Sequence, residues 1–254
     1  MKNVLNKLKE IQEETVGISV YSTDKSIFLD SMNENMTVPL ASAAKVAIGF
    51  CIAEWVEERQ VSWDNIVEDI SFNPAEDSSE LYPHFQLRKS LSLGEAIEVM
   101  IACHDSFIAN RIVQYCGGWD KINKSIQDKF PTMHVTENPR DSENKGELDQ
   151  ILHLFIHIFQ QYKQNPLTWT PIMNGLVRQN GEVEGIPHFH LNHMTGGLEN
   201  AVVDIGILGD FKDKPLLFAL GASGLPNRNT NKAADEKIME AMKLLYNEYK
   251  GMRS

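Results

Sequence analysis

A serine and a lysine three positions apart are the residues of this chain best suited to chemistry. The segment reads Ser42-Ala43-Ala44-Lys45. On a helix, residues three apart return to the same face, so the lysine amine can lie beside the serine hydroxyl. Serine alone is a poor nucleophile, and an amine whose pKa is lowered by burial or by a like charge can accept its proton. The pair predicts acyl transfer, with Ser42 as nucleophile and Lys45 as base.

The residues that follow the pair predict a helix that positions it. The apolar run 46–56 indicates a buried helix that begins near Ser42. Backbone N–H groups at a helix N-terminus favour a developing oxyanion. The Ser-x-x-Lys spacing is expected by chance about once in a chain of this size, so its context decides its meaning.

Three segments of the chain resemble the class A β-lactamases and penicillin-binding proteins. The first is 38–46 (VPLASAAKV), an apolar lead-in that delivers the serine to a helix. The second is 100–106 (MIACHDS), followed by Ala109-Asn110 and Gly117-Gly118, at the family's Ser-Asp-Asn segment. The third is 193–197 (HMTGG), followed by Asp204-Ile205-Gly206, which is similar to the Lys-Thr-Gly strand and the strand after it. The resemblance covers nearly the whole chain.

Three positions depart from the family's motifs. His104 replaces the serine of Ser-Asp-Asn, Ser106 replaces its asparagine, and Met194 replaces the lysine of Lys-Thr-Gly. The lost serine and lysine normally help to move a proton to the leaving nitrogen and attract the substrate carboxylate. The resemblance implies that the N–H groups of Ser42 and Gly197 form an oxyanion hole. Its implied substrate-binding residues are Ser106, Thr195, Gly196 and Gly197.

The resemblance also makes His104 a catalytic candidate. Imidazole transfers protons near neutral pH, and His104 would face Ser42 and Lys45 across the cleft. The alternative is that His104 only caps or packs the helix turn. Asp105 is expected to brace that turn through backbone hydrogen bonds, because a buried carboxylate must be paired.

Hydrolysis of an acyl intermediate in class A enzymes uses a loop glutamate that activates water. The segment 132–145 is dense in Pro, Asn, Asp and Glu and is predicted to be a surface loop. Within it we assign this role to Glu137. Glu143 and Glu147 remain alternatives, as does a solvated loop acid without a catalytic part.

The cysteines and histidines offer weaker candidates. Cys51, Cys103 and Cys116 suit buried free thiols in a reducing compartment. Cys103 precedes His104, which leaves a thiol nucleophile as an alternative. His188, His190 and His193 are predicted to share one face of a strand, but they spread over about 17 Å, too far for one ion. We expect no metal and no cofactor.

The order of predicted elements is helix, two strands, a block of helices, three strands, helix. Within the block, the polar, proline-containing segment 72–88 is predicted to be a connection, Ser92 and Glu95 form a capping-box pattern that starts a helix, and another helix is predicted over 106–115. The predicted elements at the two chain ends are a helix over 1–14, strands over 16–21, 26–29, 188–195, 201–208 and 216–222, and a helix over 232–249. This order predicts an α+β fold with a five-stranded antiparallel sheet flanked by N- and C-terminal helices and an inserted all-helical lobe. We expect one domain over 1–254, with a sheet lobe from 1–37 and about 180–254 and a helical lobe over about 38–179.

The composition of the chain limits the classes of partner that it can bind. A net charge of −11 argues against nucleic acid and anionic membrane surfaces. The N-terminus lacks the continuous apolar core of a signal peptide, and no stretch approaches the roughly 20 apolar residues that span a bilayer. The sequence therefore predicts a cytoplasmic protein with a small-molecule substrate, and it leaves the oligomeric state open.

The predicted activity is acyl transfer through Ser42 on small amides or esters. Because Met194 removes a positive charge, penicillins are expected to be poor substrates. The alternative is a non-catalytic binding or regulatory protein that kept the fold. A third hypothesis is a D-alanyl peptidase-like enzyme, whose substrate lies outside the membrane.

Overall fold

A five-stranded antiparallel sheet, to which both ends of the chain contribute, organises the protein. The computed structural model describes residues 1–12 and 15–253. The strands are β1 (Val16–Ser22), β2 (Ile27–Met32), β3 (Thr37–Pro39), β4 (Ile66–Val67), β5 (Leu91–Ser92), β6 (Lys145–Glu147), β7 (Leu191–Gly197), β8 (Val202–Leu208) and β9 (Leu216–Ala222). The strand order in the main sheet is β2-β1-β9-β8-β7, and every neighbouring pair in it is antiparallel. The predicted fold class is confirmed.

Helices cover both faces of this sheet. They are α1 (Lys2–Lys9), α2 (Ala44–Glu57), α3 (Ser78–Leu81), α4 (Leu93–Ala102), α5 (Ser106–Tyr115), α6 (Trp119–Gln127), α7 (Leu148–Gln164), α8 (Pro166–Val177) and α9 (Ala233–Gly251). Helices α1 and α9 pack against one face through buried side chains such as Val4, Leu8 and Leu245. The opposite face joins the larger core, which is built around α2, α4, α7 and α8. Strands β1, β8 and β9 are therefore buried along their whole length.

Several elements agree closely with the pattern in the sequence. Strand β9 and helix α5 span the predicted residues. Helix α4 begins with the predicted capping box, in which Ser92 Oγ accepts the Glu95 N–H at 3.2 Å and the Glu95 carboxylate accepts the Ser92 N–H at 2.8 Å. Helix α1 ends at Lys9 rather than at residue 14, and residues 13 and 14 of that prediction lie outside the described residues.

Other elements were not predicted. The strand pairs β3–β6 and β4–β5 are two or three residues long, too short to show a period of two. Helix α8 begins at Pro166, a favourable first position for proline, but it also contains Pro171, and an interior proline usually interrupts a helix. Within residues 1–12 and 15–253, no helix is long and apolar enough to cross a membrane.

The predicted strand over 188–195 is wrong in its first half. His188 and His190 lie in a short 3-10 helix that follows Pro187, and β7 begins at Leu191. Proline fixes φ and favours such a turn. The three histidines therefore do not share one strand face, and His193 alone lies within the sheet.

The capping box gives a test of the local energetics. Replacing Ser92 by Ala removes the acceptor for the Glu95 N–H and should lower the free energy of unfolding by about 1 kcal/mol. Urea denaturation measures this change. The matched control is Ser79→Ala, at an exposed position of α3. Equal stability of the two variants would contradict the role given to the capping box.

Candidate active site

Ser42 lies in a tight turn that leads into α2. A 3-10 helix over Ala41–Ala43 precedes the helix, and Ser42 is partly exposed between two buried alanines. Ala41 has a φ of +45°, which is unfavourable for a residue with a side chain. Such strain persists only where neighbouring structure holds it, and here two segments distant in sequence do so.

Asn144 is the first support of this turn. It is fully buried, and its side-chain Nδ2 donates to the carbonyl oxygens of Ala41 at 3.2 Å and Pro139 at 3.0 Å. Its own carbonyl accepts the Leu40 N–H at 2.8 Å. Asn144 therefore ties the serine turn to the loop that carries Glu137.

Strand β7 is the second support. A Cβ atom on Gly196 would collide with the carbonyl oxygen of Leu40 and with the side chain of Val203. Only glycine allows the strand to approach the serine turn this closely. Gly196, predicted to bind substrate, thus has a packing role, while Gly197 beside it is exposed.

Lys45 is buried one turn after Ser42. Only 3% of the residue is exposed. Burial lowers the pKa of its amine to about 8, although the carboxylates of Glu76 and Asp105 act in the opposite direction. Near neutral pH part of the population carries a neutral amine, which is the form that can take a proton from a hydroxyl.

His104 lies close enough to Lys45 to feel its charge. Its backbone is left-handed, with a φ of +56°, and its side chain is largely enclosed. Burial, and then the charge of Lys45, lowers the pKa of His104 to about 4. The imidazole is therefore neutral at pH 7, and of the two groups Lys45 is the stronger base.

Asp105 makes the backbone hydrogen bonds expected of a bracing residue. It is fully buried and caps α5 by accepting the N–H groups of Phe107 at 2.9 Å and Ile108 at 3.0 Å. Its second oxygen accepts the Asn73 N–H at 2.9 Å. The carboxylate thereby joins the turn at 73–77 to the start of α5.

The turn at 73–77 contributes two site residues that the sequence interpretation missed. Asn73 Nδ2 donates to Ser106 Oγ at 3.0 Å, so a carboxamide lies beside the position where the family's motif has asparagine. Glu76 is partly buried near Lys45: burial raises the pKa of its carboxyl group, and the charge of Lys45 opposes that shift. The polar, proline-containing composition of this segment had indicated only a connecting loop. The Asn-Pro pair, which favours a turn, was the available signal for the position of these residues.

Of the three candidate loop acids, Glu137 is the one joined to α5. Its Oε1 accepts Asn110 Nδ2 at 2.6 Å, and Asn110 lies on the helix that begins at Ser106. Glu143 instead forms an ion pair with Lys145 at 3.1 Å. Glu147 ends β6, immediately before α7.

The thiol alternative loses support. Cys103 is fully buried, and burial raises the pKa of its thiol to about 12. The thiolate, which is the nucleophilic form, is therefore disfavoured at neutral pH. Burial similarly raises the pKa of Cys51 to about 12 and that of Cys116 to about 11.

Comparison with known proteins shows the family and the fold of the chain. A sequence model described as the β-lactamase enzyme family matches residues 1–249. A β-lactamase from Chitinophaga pinensis has a similar structure, with a TM-score of 0.80 and 17% identity over 97% of this chain and 99% of its own. PBP-A gives 0.79 and 17% over 99% and 97%, and the TLA-3 extended-spectrum β-lactamase gives 0.75 and 18% over 98% of each chain. No curated protein sequence matches the chain.

The buried lysine predicts a stability cost. Unfolding restores the ordinary pKa of 10.5. Below about pH 8 Lys45 is protonated in both states, so the folded state bears the full free-energy cost of the buried charge. Lys45→Met should remove a cost of up to about 3 kcal/mol at pH 7 and raise the melting temperature. The gain should shrink as the pH rises from 8 to 10.5, where folded wild type holds the neutral amine and regains stability.

Thermal denaturation at pH 7 and pH 10 measures the effect. The matched control is Lys89→Met, an exposed lysine whose replacement should change the melting temperature little. A destabilised Lys45→Met at both pH values would contradict the cost assigned to the buried amine.

Proposed function

This chain belongs to the β-lactamase enzyme family, and from that premise we propose that it is a serine hydrolase that forms an acyl-enzyme through Ser42 with Lys45 as base. Its substrate is a small amide or ester. The observation that carries the proposal is the buried amine of Lys45, with a pKa lowered to about 8, one helical turn from a partly exposed serine.

Acylation proceeds by a balanced transfer of one proton. The neutral Lys45 amine takes the proton of Ser42 Oγ, and Oγ attacks the carbonyl carbon of the substrate. The negative charge on the carbonyl oxygen is stabilised by the N–H groups of Ser42 and Gly197. Collapse of the tetrahedral intermediate expels an amine or alcohol, which takes the proton from the Lys45 ammonium.

Deacylation uses water activated by Glu137 in this proposal. Support comes from the 2.6 Å hydrogen bond between Glu137 and Asn110, which holds the carboxylate against α5. The carboxylate takes a proton from water, and the hydroxide attacks the acyl carbonyl. Ser42 Oγ leaves and takes up, through Lys45, the proton that Glu137 received from water, so that Glu137, Lys45 and Ser42 all return to their starting protonation states.

Penicillins are expected to react poorly. One PBP-A variant of similar fold is described as an acyl-enzyme complex with penicillin G. In this chain the position of the family's lysine is Met194, which is fully buried and accepts the Gln179 amide at its sulfur at 3.4 Å. A substrate carboxylate would find no cation from this residue.

The expected two-lobed division, with a sheet lobe and a helical lobe, stays part of the proposal. Ser42 and Lys45 come from the segment 38–179 and Thr195 from the segment after 180, so a cleft between the lobes would bring them together. His104, in the connection between α4 and α5, is proposed to line this cleft as a neutral hydrogen-bonding group.

Intact-protein mass spectrometry tests the nucleophile. Incubation with a fluorophosphonate should add one adduct to wild type and none to Ser42→Ala, because only the serine alkoxide attacks phosphorus. Benzylpenicillin should give a slow or incomplete adduct at the same residue. Absence of any Ser42-dependent adduct would favour the non-catalytic alternative.

Glu137 is tested by the fate of the acyl-enzyme. With a p-nitrophenyl ester, Glu137→Gln should keep the initial burst of p-nitrophenol and lower steady-state turnover about 100-fold, since general-base catalysis contributes a factor of this order. The matched control is Glu143→Gln, which removes a charge from the same loop. Equal turnover of the two variants would remove Glu137 from the mechanism.

A further inference from the structure

A buried hydrogen-bond network lies on the face of β7 that α9 covers. His193 and Thr195 are two residues apart on the strand and line one cavity of about 220 Å³ with Ile238 and Met242 of α9. Met194, between them, packs into the core on the opposite face. Gly206 lies opposite His193 in the register, where a Cβ atom would collide with the His193 side chain.

Asp204 is the centre of this network. It is the cross-strand partner of Thr195 on β8. One oxygen, Oδ1, accepts the Nδ1–H of His193 at 2.7 Å and the hydroxyl of Thr195 at 3.3 Å. His193 and Asp204 are both at least nine-tenths buried. The hydroxyl hydrogen of Thr195 is therefore committed to Asp204, and only the lone pairs of Thr195 remain for a ligand.

The charge balance around the network favours this arrangement. Burial alone would lower the pKa of His193, but the Asp204 carboxylate outweighs it, and the pKa of the imidazole is raised. The Nδ1–H of His193 and the Thr195 hydroxyl both donate to Asp204 Oδ1, which makes this oxygen the shared acceptor of the network. The other charged groups on the same cavity are Glu182, Arg228 and Asp235.

Arg228 does not supply a free cation beside Thr195. Its Nε donates to Asp235 at 2.8 Å, and its Nη1 donates to the carbonyl oxygens of Leu198 and Ala201 at 3.0 Å each. The guanidinium is thus paired with a carboxylate and with the turn between β7 and β8. At Thr195 itself the strand offers a hydrogen-bond acceptor, whereas a carboxylate would require a donor; Arg140 and Arg228 line a second pocket beside Gly197.

We propose that Asp204, held by His193, is a positioning residue that fixes the Thr195 hydroxyl as a hydrogen-bond acceptor toward ligands. The site therefore selects ligands that bear an uncharged donor, such as a carboxamide, over ligands that bear a carboxylate. The inference rests on the proposed function, because it assumes that ligands bound to Ser42 reach Thr195. It adds a substrate class and the residues that set it.

Two matched boronic acids test the selectivity without requiring turnover. 3-Carbamoylphenylboronic acid and 3-carboxyphenylboronic acid differ only in the donor amide and the ionised acid, and boronic acids bind serine nucleophiles reversibly. Isothermal titration calorimetry should show at least tenfold tighter binding of the carbamoyl compound to wild type. Asp204→Asn should reduce this ratio about fivefold or more, because a neutral amide accepts the Thr195 hydroxyl less strongly than a carboxylate does.

Thr195→Val separates hydrogen bonding from charge. If the hydroxyl carries the selectivity, Thr195→Val should lose most of the preference although Asp204 remains, and adding Asp204→Asn should change the ratio little further. A preference that persists in Thr195→Val, or a wild type that binds the carboxylate as well as the carboxamide, would overturn the inference.

Unsubstituted phenylboronic acid distinguishes the two levels of failure. It should bind wild type and not Ser42→Ala. If it fails to bind wild type, the proposed function fails and this inference with it. If it binds and the ratios do not follow Asp204 and Thr195, only the inference fails. Thermal denaturation of each variant establishes that the protein assayed is folded.

Discussion

The burial of one amine is the constraint on which the site depends. Lysine is almost never fully buried without a partner, because desolvation penalises its charged form. Here Lys45 lies within the larger core, and Glu76 and Asp105 offset only part of that penalty. The lowered pKa follows from this position. A protein that needed only a stable helix at α2 would gain stability by placing an apolar side chain there, so this cost is in keeping with the proposed role of Lys45 as base.

The surrounding structure holds the serine turn in place for this amine. Asn144 and Gly196 support the strained Ala41 from two sides, one through hydrogen bonds and one through close approach. Asp105 and Asn73 fasten the turn at 73–77 to α5 in the same manner. Buried polar groups with satisfied partners fix geometry more sharply than apolar contacts do. These hydrogen bonds position the serine turn and the turn at 73–77, while Asn144 Oδ1 itself has no partner among the described residues.

The sequence predicted the five-stranded sheet well, because strands depend on local pattern. Strand β9 and helix α5 show clear periods and clear ends, and the serine and lysine share one segment. Asn73 and Asn144 could not be found this way, since their partners lie 32 and 103 residues away. The histidine prediction failed for two reasons: a 3-10 helix follows Pro187 where a strand had been predicted, and His190 and His193, three residues apart, would lie on opposite faces of any strand.

The most direct test of Lys45 as base is the pH dependence of the rate at which a fluorophosphonate labels Ser42. If the neutral amine of Lys45 takes the serine proton, the second-order rate constant should rise about tenfold per pH unit below pH 8 and level off above it. Lys45→Met should remove both the rate and its inflection. A rate that is independent of pH between 6 and 9, or one that survives in Lys45→Met, would contradict the assignment of Lys45 as the base.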